Sequence, residues 1–481
     1  MNYKMMGKFI AQILIIEAVF MIPAGFVSLG YGEYNAMWSF LASIGIIALV
    51  CAVIYPLCKS APNAFYAKEG FVCVGISWIV LSLFGCLPFY LSREIPNYVD
   101  AFFEIVSGFT TTGSSVVANV EGLSHGILYW RSFSNWLGGM GVLVFLLAFT
   151  GASGKGFTLH LLRAESPGPD VGKLVPKMRS TAGILYLIYI GMTVLNFLFL
   201  LFGRMPVFEA ICSALSTAGT GGFGIKNDSF ASFSPYCQWV TTIFMMLFAI
   251  NFSCFYLLLL RQFKAVFKDE ELRLYLGLIL VSTLLITLNI RPLYGSIGET
   301  IRHAAFQVGT LISSTGFAST DFDLWPSFSK AILMCIMVVG ACAGSTGGGL
   351  KIARLLLLLK GLRRNIRQTL NPRKVQVIRN NENVVNERVL DNTNAYLAAY
   401  VIILFISFAL VSIDGFSVET NFSAVLSCFN NMGPGFAAVG PTCNFGGYSA
   451  FSKIVLSLDM LLGRLEIFPI LVLFSRSTWK R

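Results

Sequence analysis

Ten apolar stretches, each close to the length of a bilayer crossing, constrain this chain more than any motif in it. They run roughly through 9–30, 36–58, 70–91, 130–150, 181–203, 234–260, 274–293, 327–359, 393–413 and 450–475. A transmembrane helix needs ~20 predominantly apolar residues, and each stretch supplies about that many. Of the 481 residues only 12% are charged and 56% are apolar, whereas a soluble domain averages about 25% charged. Too little polar surface remains to clothe a globule. A soluble enzyme, a disordered chain and a coiled coil are thereby excluded. The first stretch is not a signal peptide: Lys4 and Lys8 precede it, but it continues from Phe9 to about Leu29 without a small-residue cleavage site. It reads as a retained helix.

The formal charge of +11 is informative through its distribution. With the N-terminus inside, the internal connections are 59–69, 151–179, 261–273, 360–391 and the tail from Arg476. Together with the N-terminal residues these hold 24 Lys and Arg. The opposite side holds 8: Arg93, Arg131, Arg204, Lys226, Arg291, Arg302, Lys330 and Lys453. Cytoplasmic loops carry an excess of basic residues, so both termini are expected in the cytoplasm. The surplus charge then needs no nucleic acid to explain it. The 11 cysteines lie mostly in apolar runs and form no CxxC or Cys/His cluster, a pattern of buried, reduced thiols.

Four further apolar stretches, near 101–112, 206–220, 300–315 and 420–432, are too short to cross and read as re-entrant or buried helices. Each ends in a glycine with Ser or Thr six residues earlier. The four are SGFTTTG (Ser107 to Gly113), STAGTGG (Ser216 to Gly222), TLISSTG (Thr310 to Gly316) and SCFNNMG (Ser427 to Gly433). Their glycines are 109, 94 and 117 residues apart, and the repeating unit is span, short helix, loop, span. In the second copy Ser213 to Gly219 fits the spacing too; Gly222 is preferred because Gly222-Phe223 matches Gly316-Phe317. One such loop is an ordinary turn at a helix end. Four, each between spans and all opening on one side, imply more. Irregular backbone at membrane depth is tolerated only when buried or lining a watery cavity. Glycine admits the positive φ that keeps carbonyls pointing inward, and rings of carbonyl oxygens can replace a monovalent cation's hydration shell.

These loops, with WLGGMG (Trp136 to Gly141), GSTGGGLK (Gly344 to Lys351) and GRLEIF (Gly463 to Phe468), resemble the Trk/Ktr/HKT superfamily of potassium transporters over essentially the whole chain. Two extra N-terminal spans favour its bacterial Trk branch over the Ktr branch. The resemblance implies an all-α polytopic membrane protein with four pseudo-symmetric helix–pore loop–helix units around one central ion pore, plus two extra N-terminal transmembrane helices. The units expected are 1–69 for the N-terminal pair, then 70–179, 180–273, 274–391 and 392–481. By the same resemblance, potassium-lining positions fall on Thr111, Thr112 and Gly113; Thr220, Gly221 and Gly222; Ser314, Thr315 and Gly316; and Asn431, Met432 and Gly433. It further implies potassium as the transported ion and no cofactor; a membrane enzyme would need a polar catalytic cluster that the sequence does not show. A homodimer in the bacterial plasma (inner) membrane and a cytosolic nucleotide-binding regulatory subunit are also implied, the latter marked by no residue here. A less selective potassium/sodium transporter and a cation-coupled symporter remain alternatives.

The stretch 327–359 is interrupted by Gly344, Ser345, Thr346, Gly347, Gly348 and Gly349. A helix-interior glycine costs ~1 kcal/mol relative to alanine, so this run breaks the helix. It is not a phosphate-binding loop, because Leu350 stands where lysine is needed and no Ser or Thr follows. A kink for close helix packing is one reading; the resemblance implies an intramembrane gate, loop 344–350, beneath the filter. Arg464 lies in the last span, where a charge costs ~2.5–3.5 kcal/mol on insertion scales. It is either in a structural ion pair with Asp459 or Glu466 or a positive barrier against the glycine loop, where Lys351 is a second candidate. Glu17 is given no role, and His125, His160 and His303 show no metal-ligand spacing. Asp321 and Asp323 either concentrate cations at the mouth or belong to a solvated loop. The basic run from Arg363-Arg364 to Arg373-Lys374 suits anionic membrane lipid or a cytosolic subunit.

Overall fold

The computed structural model describes residues 2–58, 67–139, 141, 178–373, 376–381 and 383–479. Most of the connections 59–69 and 151–179, His160 and the second half of the 130–150 stretch lie outside the described residues.

Helices α1 (Tyr3–Gly30) and α2 (Tyr34–Cys58) form a hairpin that packs on α3 (Ala67–Gly85), the short α4 (Leu87–Leu91) and α6 (His125–Gly139). The approach of α1 to α6 is close: a Cβ on Gly126 would strike Ser28 and the Ala24 carbonyl. Small residues permit such contact where no water drives helices together.

Four units follow. The first comprises α3, α4, α5 (Tyr98–Phe109) and α6. The second comprises α7 (Met178–Phe202), α8 (Val207–Gly219), α9 (Pro235–Phe248) and α10 (Phe252–Leu259), with α11 (Phe263–Lys268) as connector. The third runs through α12 (Glu270–Ile290), α13 (Ile297–Ile312), α14 (Ser327–Val339) and α15 (Ile352–Leu370). A two-stranded antiparallel ribbon, β1 (Arg379–Asn380) and β2 (Asn383–Val384), leads into the last. That unit holds α16 (Glu387–Val411), α17 (Val418–Phe429), α18 (Ala450–Arg464), α19 (Phe468–Phe474) and α20 (Arg476–Trp479).

Among the described residues six helices are long and apolar enough to cross a membrane, or seven if a bent pair is one span. The ten stretches read from hydropathy exceed this because the second long element of the second, third and fourth units is interrupted, and that of the first runs out of the described residues. In the second unit α9 and α10 meet at 92°, where the Asn251 side chain caps α10 by accepting from the Ser253 N–H. In the third, residues 340–351 separate α14 from α15, a wider break than the glycine run 344–350. In the fourth, α18 ends at Arg464, and Glu466 and Ile467 take φ of 60° and 63° before α19 begins. A β-branched residue in that region is a genuine outlier. Hydropathy does not register these breaks, since both flanks are apolar.

Four helices are short and buried: α5, α8, α13 and α17. Each carries an acidic residue in its first turn, Asp100, Glu209, Glu299 and Glu419, and no basic residue in its last. Asn97, Ser296 and Ser417 cap three of them through their side chains. Acids favour the positive N-terminal end of a helix dipole. The uncompensated negative ends all point to the same place, the four glycine-ended loops.

Candidate functional site

Backbone geometry repeats around the loops. Thr111, Thr220, Ser314 and Asn431 have φ of 55°, 53°, 58° and 55°, and two residues later Gly113, Gly222, Gly316 and Gly433 have φ of 83°, 66°, 90° and 94°. Between them the N–H groups of Thr112, Gly221, Thr315 and Met432 donate to the carbonyls of Ser107, Ser216, Thr310 and Ser427 at 2.8–2.9 Å. Gly222, not Gly219, is therefore the structural counterpart of Gly113. The Ser or Thr six residues before each glycine serves through its carbonyl. Its hydroxyl plays no common part. Ser427 Oγ donates to the Gly433 carbonyl at 2.7 Å, Ser216 Oγ accepts from Asn135, and neither Ser107 nor Thr310 has a hydroxyl partner among the described residues.

The loops close on one another in order. A Cβ on Gly113 would run into the Gly221 carbonyl, one on Gly222 into that of Thr315, and one on Gly316 into that of Met432. A Cβ on Gly433 would lie 2.9 Å from the Thr112 oxygen, which completes the ring. In every case the oxygen belongs to the residue just before the next glycine. That residue is Thr, Gly, Thr or Met, so side-chain oxygens cannot be the shared feature. Backbone carbonyls are. The ring residues are buried except Gly113, Gly222 and Gly316, which are half-buried, and Thr111, Thr112, Thr220, Ser314, Thr315 and Asn431 are wholly enclosed. On one side of the ring a cavity of about 160 Å³ is lined by Gly113, Gly222, Gly316 and Gly433 with Ser114 and Arg131.

On the other side lies the segment 340–351. Gly348 N–H donates to Ser314 Oγ. Cβ atoms on Gly347 and Gly348 would collide with the carbonyls of Ser313 and Asn430, at the ends of α13 and α17. The segment thus touches the ring from below. It is anchored on the α9–α10 bend: Thr346 Oγ1 donates to the Phe248 carbonyl at 3.1 Å, Cys342 N–H to Ala249 at 3.1 Å, and Phe252 N–H to Gly344 at 3.0 Å. Glu271 accepts from the Ala343 N–H at 2.6 Å, and Lys351, buried with φ of 75°, donates through Nζ to the Gly347 carbonyl. Ser345 Oγ donates to Cys342 at 2.6 Å, and Gly344 and Gly349 take φ of 68° and 83°.

Arg464 reaches across the same space. It donates to the carbonyls of Thr346 at 3.0 Å, Gly139 at 2.7 Å and Gly138. One guanidinium on the fourth unit thus joins the interrupted element of the third to the end of α6 in the first. Of the two carboxylates considered as its partners, Glu466 is paired with Arg354, which also stacks on Tyr396 at 3.9 Å. Asp459 accepts from Ser407 at 2.6 Å. Gly138 and Gly139 were not legible as its partners; the run WLGGMG was the available signal, since glycines leave the carbonyls open to approach.

One expectation changes. Arg131 and Lys453, counted among loop charges, lie buried within α6 and α18, paired with Glu104 at 2.7 Å and Asp100 at 2.6 Å. A charge tally cannot separate a loop residue from a paired residue inside a helix. Asp321 and Asp323 are engaged in the fold. Asp323 pairs with Lys330 at 3.2 Å and accepts from Ala437, and Asp321 accepts from the Asp323 N–H at 3.0 Å and from Thr442. Neither lines the cavity. Glu17 is buried beside Gly85 with no hydrogen-bond partner for its carboxyl oxygens among the described residues.

Known proteins resemble the chain along its whole length. A family profile described as TrkH, cation transport protein, matches residues 39–480. The chain is 34% identical over 487 residues to the Trk system potassium uptake protein TrkH of Salmonella typhimurium, covering 100% of both chains. It is 33% identical over 489 residues to TrkH of Escherichia coli K12, again with 100% of both covered. The crystal structure of the potassium transporter TrkH from Vibrio parahaemolyticus superposes with a TM-score of 0.88 at 29% identity, over 100% of both chains. The chain is a multi-pass membrane protein and belongs to the TrkH family of cation transport proteins.

Proposed function

We propose that this protein takes potassium into the cell through the ring of loop carbonyls. The observation that carries the reading is the closed order of the four loops, each glycine facing the carbonyl of the residue before the next glycine. Thr111-Thr112-Gly113, Thr220-Gly221-Gly222, Ser314-Thr315-Gly316 and Asn431-Met432-Gly433 line the path, their oxygens replacing the ion's water. The negative ends of α5, α8, α13 and α17 lower the cost of a bare cation there. Relatives of this chain named as potassium uptake proteins support the choice of ion. Residues 344–349, with Lys351 and Arg464, act as the gate beneath the ring. The basic bias of the internal connections supports an inner-membrane orientation with both termini cytoplasmic. Expression in a bacterium lacking potassium uptake restores growth at low potassium, and purified protein in liposomes passes potassium faster than sodium. Equal fluxes of the two ions point instead to the less selective transporter, and no flux of either sinks the reading.

Regulation is proposed to come from outside the chain. α15 carries Arg363 and Arg367 exposed on its far half, and a cytosolic nucleotide-binding ring on the connections 151–179 and 360–391 of a homodimer suits that basic face. Co-purification from the native host recovers such a partner. Full nucleotide-independent activity of the chain alone, with no partner recovered, argues against it.

A further inference from the structure

Nine residues before the loop glycine the first unit carries Glu104, where the other three carry Ser213, Gln307 and Ala424. Glu104 is fully buried on α5 and faces Arg131 of α6, whose Nη2 lies 2.7 Å and Nε 2.8 Å from Oε1. The pair grips the exit of the first loop. Ser115 Oγ donates to Glu104 Oε1 at 2.9 Å, Val116 N–H donates to Oε2 at 2.9 Å, and Arg131 Nη2 donates to Ser115 Oγ at 3.2 Å. The same guanidinium reaches the exit of the second loop, donating to the Gly224 carbonyl at 3.4 Å and lying over the Phe223 ring at 4.2 Å.

Burying two charges is costly unless geometry and further hydrogen bonds compensate, and Ala424 shows that the equivalent place in the fourth unit is filled without a charge. A different benefit is needed. The joint from the fourth loop to the first is tied by neutral hydrogen bonds, Ser114 Oγ to the Gly433 carbonyl at 2.8 Å and Asn431 Nδ2 to Thr112 Oγ1 at 3.0 Å. The joint from the first to the second, where Gly113 meets the Gly221 carbonyl, is bridged instead by an ionic pair. Charge-assisted hydrogen bonds are about twice as strong as neutral ones and hold their partners correspondingly more tightly.

We propose that Glu104 and Arg131 are selectivity-positioning residues, clamping the exits of the first and second loops so that the ring keeps the spacing its preferred ion requires. The inference rests on the reading of the ring as a filter. Because Glu104 balances the guanidinium, Arg131 lines the cavity without opposing an approaching cation.

The test compares potassium and sodium fluxes in liposomes for wild type, the double variant Glu104→Gln/Arg131→Gln, Ser115→Ala and Gly113→Ser, each first shown to be monodisperse. The double variant removes both charges together and leaves no unpaired ion. Its potassium-over-sodium ratio falls about tenfold, the equivalent of one charge-assisted hydrogen bond. Ser115→Ala, which keeps the pair and removes its side-chain link to the first loop while the Val116 N–H contact stays, shifts the ratio the same way by less. A structural brace alone would change the yield of folded protein and not the ratio. If the ratio holds in the double variant while Gly113→Ser loses it, the positioning role is wrong and the filter stands. If Gly113→Ser keeps it too, the filter reading itself fails. Should the double variant not fold, Ser115→Ala decides, and an unchanged ratio there overturns the inference.

Discussion

Gly113→Ser and Gly316→Ser lower the potassium-over-sodium flux ratio in liposomes by about tenfold or more, a loss of at least ~1.4 kcal/mol in discrimination. Two physical effects add. The native φ values, 83° and 90°, lie where an L-residue pays roughly 1–2 kcal/mol against the carbonyl that follows its Cβ. The new Cβ also has nowhere to go, because the space is taken by the Gly221 carbonyl in one case and the Met432 carbonyl in the other. Those are backbone atoms of the neighbouring loop, so relief requires that loop to move outward. A carbonyl displaced outward no longer matches a dehydrated potassium ion, and the ring admits other ions or none. Alanine at these positions acts in the same direction. Variants that insert, fold and keep the wild-type ratio would show that the four glycines are not the selective element.

Arg464→Ala raises basal flux by about tenfold while leaving the potassium-over-sodium ratio where it was. The side chain donates to Thr346, Gly138 and Gly139, and hydrogen bonds from a charged donor are worth about 1.5–3 kcal/mol each. Without them the 340–351 segment keeps its anchors at the α9–α10 bend, the Glu271 and Lys351 hydrogen bonds and its contact with Ser314, but loses its tie to the first and fourth units. The fixed positive charge beneath the ring, which repels a cation in a poorly screened space, goes with it. The ratio is unchanged because no loop glycine or carbonyl is altered. Deletion of Gly347 to Gly349 acts likewise, since Gly347 and Gly348 are the residues pressed on the Ser313 and Asn430 carbonyls. An Arg464→Ala protein that folds and conducts no faster than wild type makes Arg464 a structural tether between units.

The fourfold repeat, the short helices and the interruption after Val339 were all legible, because each leaves a local mark: a length too short to cross, a glycine at constant spacing, a run no helix tolerates. The register of the second loop was legible only as a preference. Gly219 and Gly222 both satisfy the spacing, and the difference shows only in the positive φ of Thr220 and in the carbonyl that each glycine faces. The breaks near Asn251 and Glu466 left no such mark. One is made by an asparagine cap, the other by non-glycine residues held at positive φ, and in both the flanking hydropathy is continuous.

What the sequence by itself determined is therefore the membrane as solvent, the number of units, and which residues stand at the turn of the first, third and fourth loops. Composition, length and glycine spacing are local quantities that a chain carries whether or not it is folded. Only the tertiary structure decided which groups meet. The Gly221 carbonyl comes to Gly113, those of Thr346 and Gly139 come to Arg464, and Glu104 comes to Arg131. Most of these partners are backbone oxygens, which every residue carries alike. No side-chain pattern can name the one that a glycine faces or a guanidinium finds, and packing of the four units against one another makes the choice.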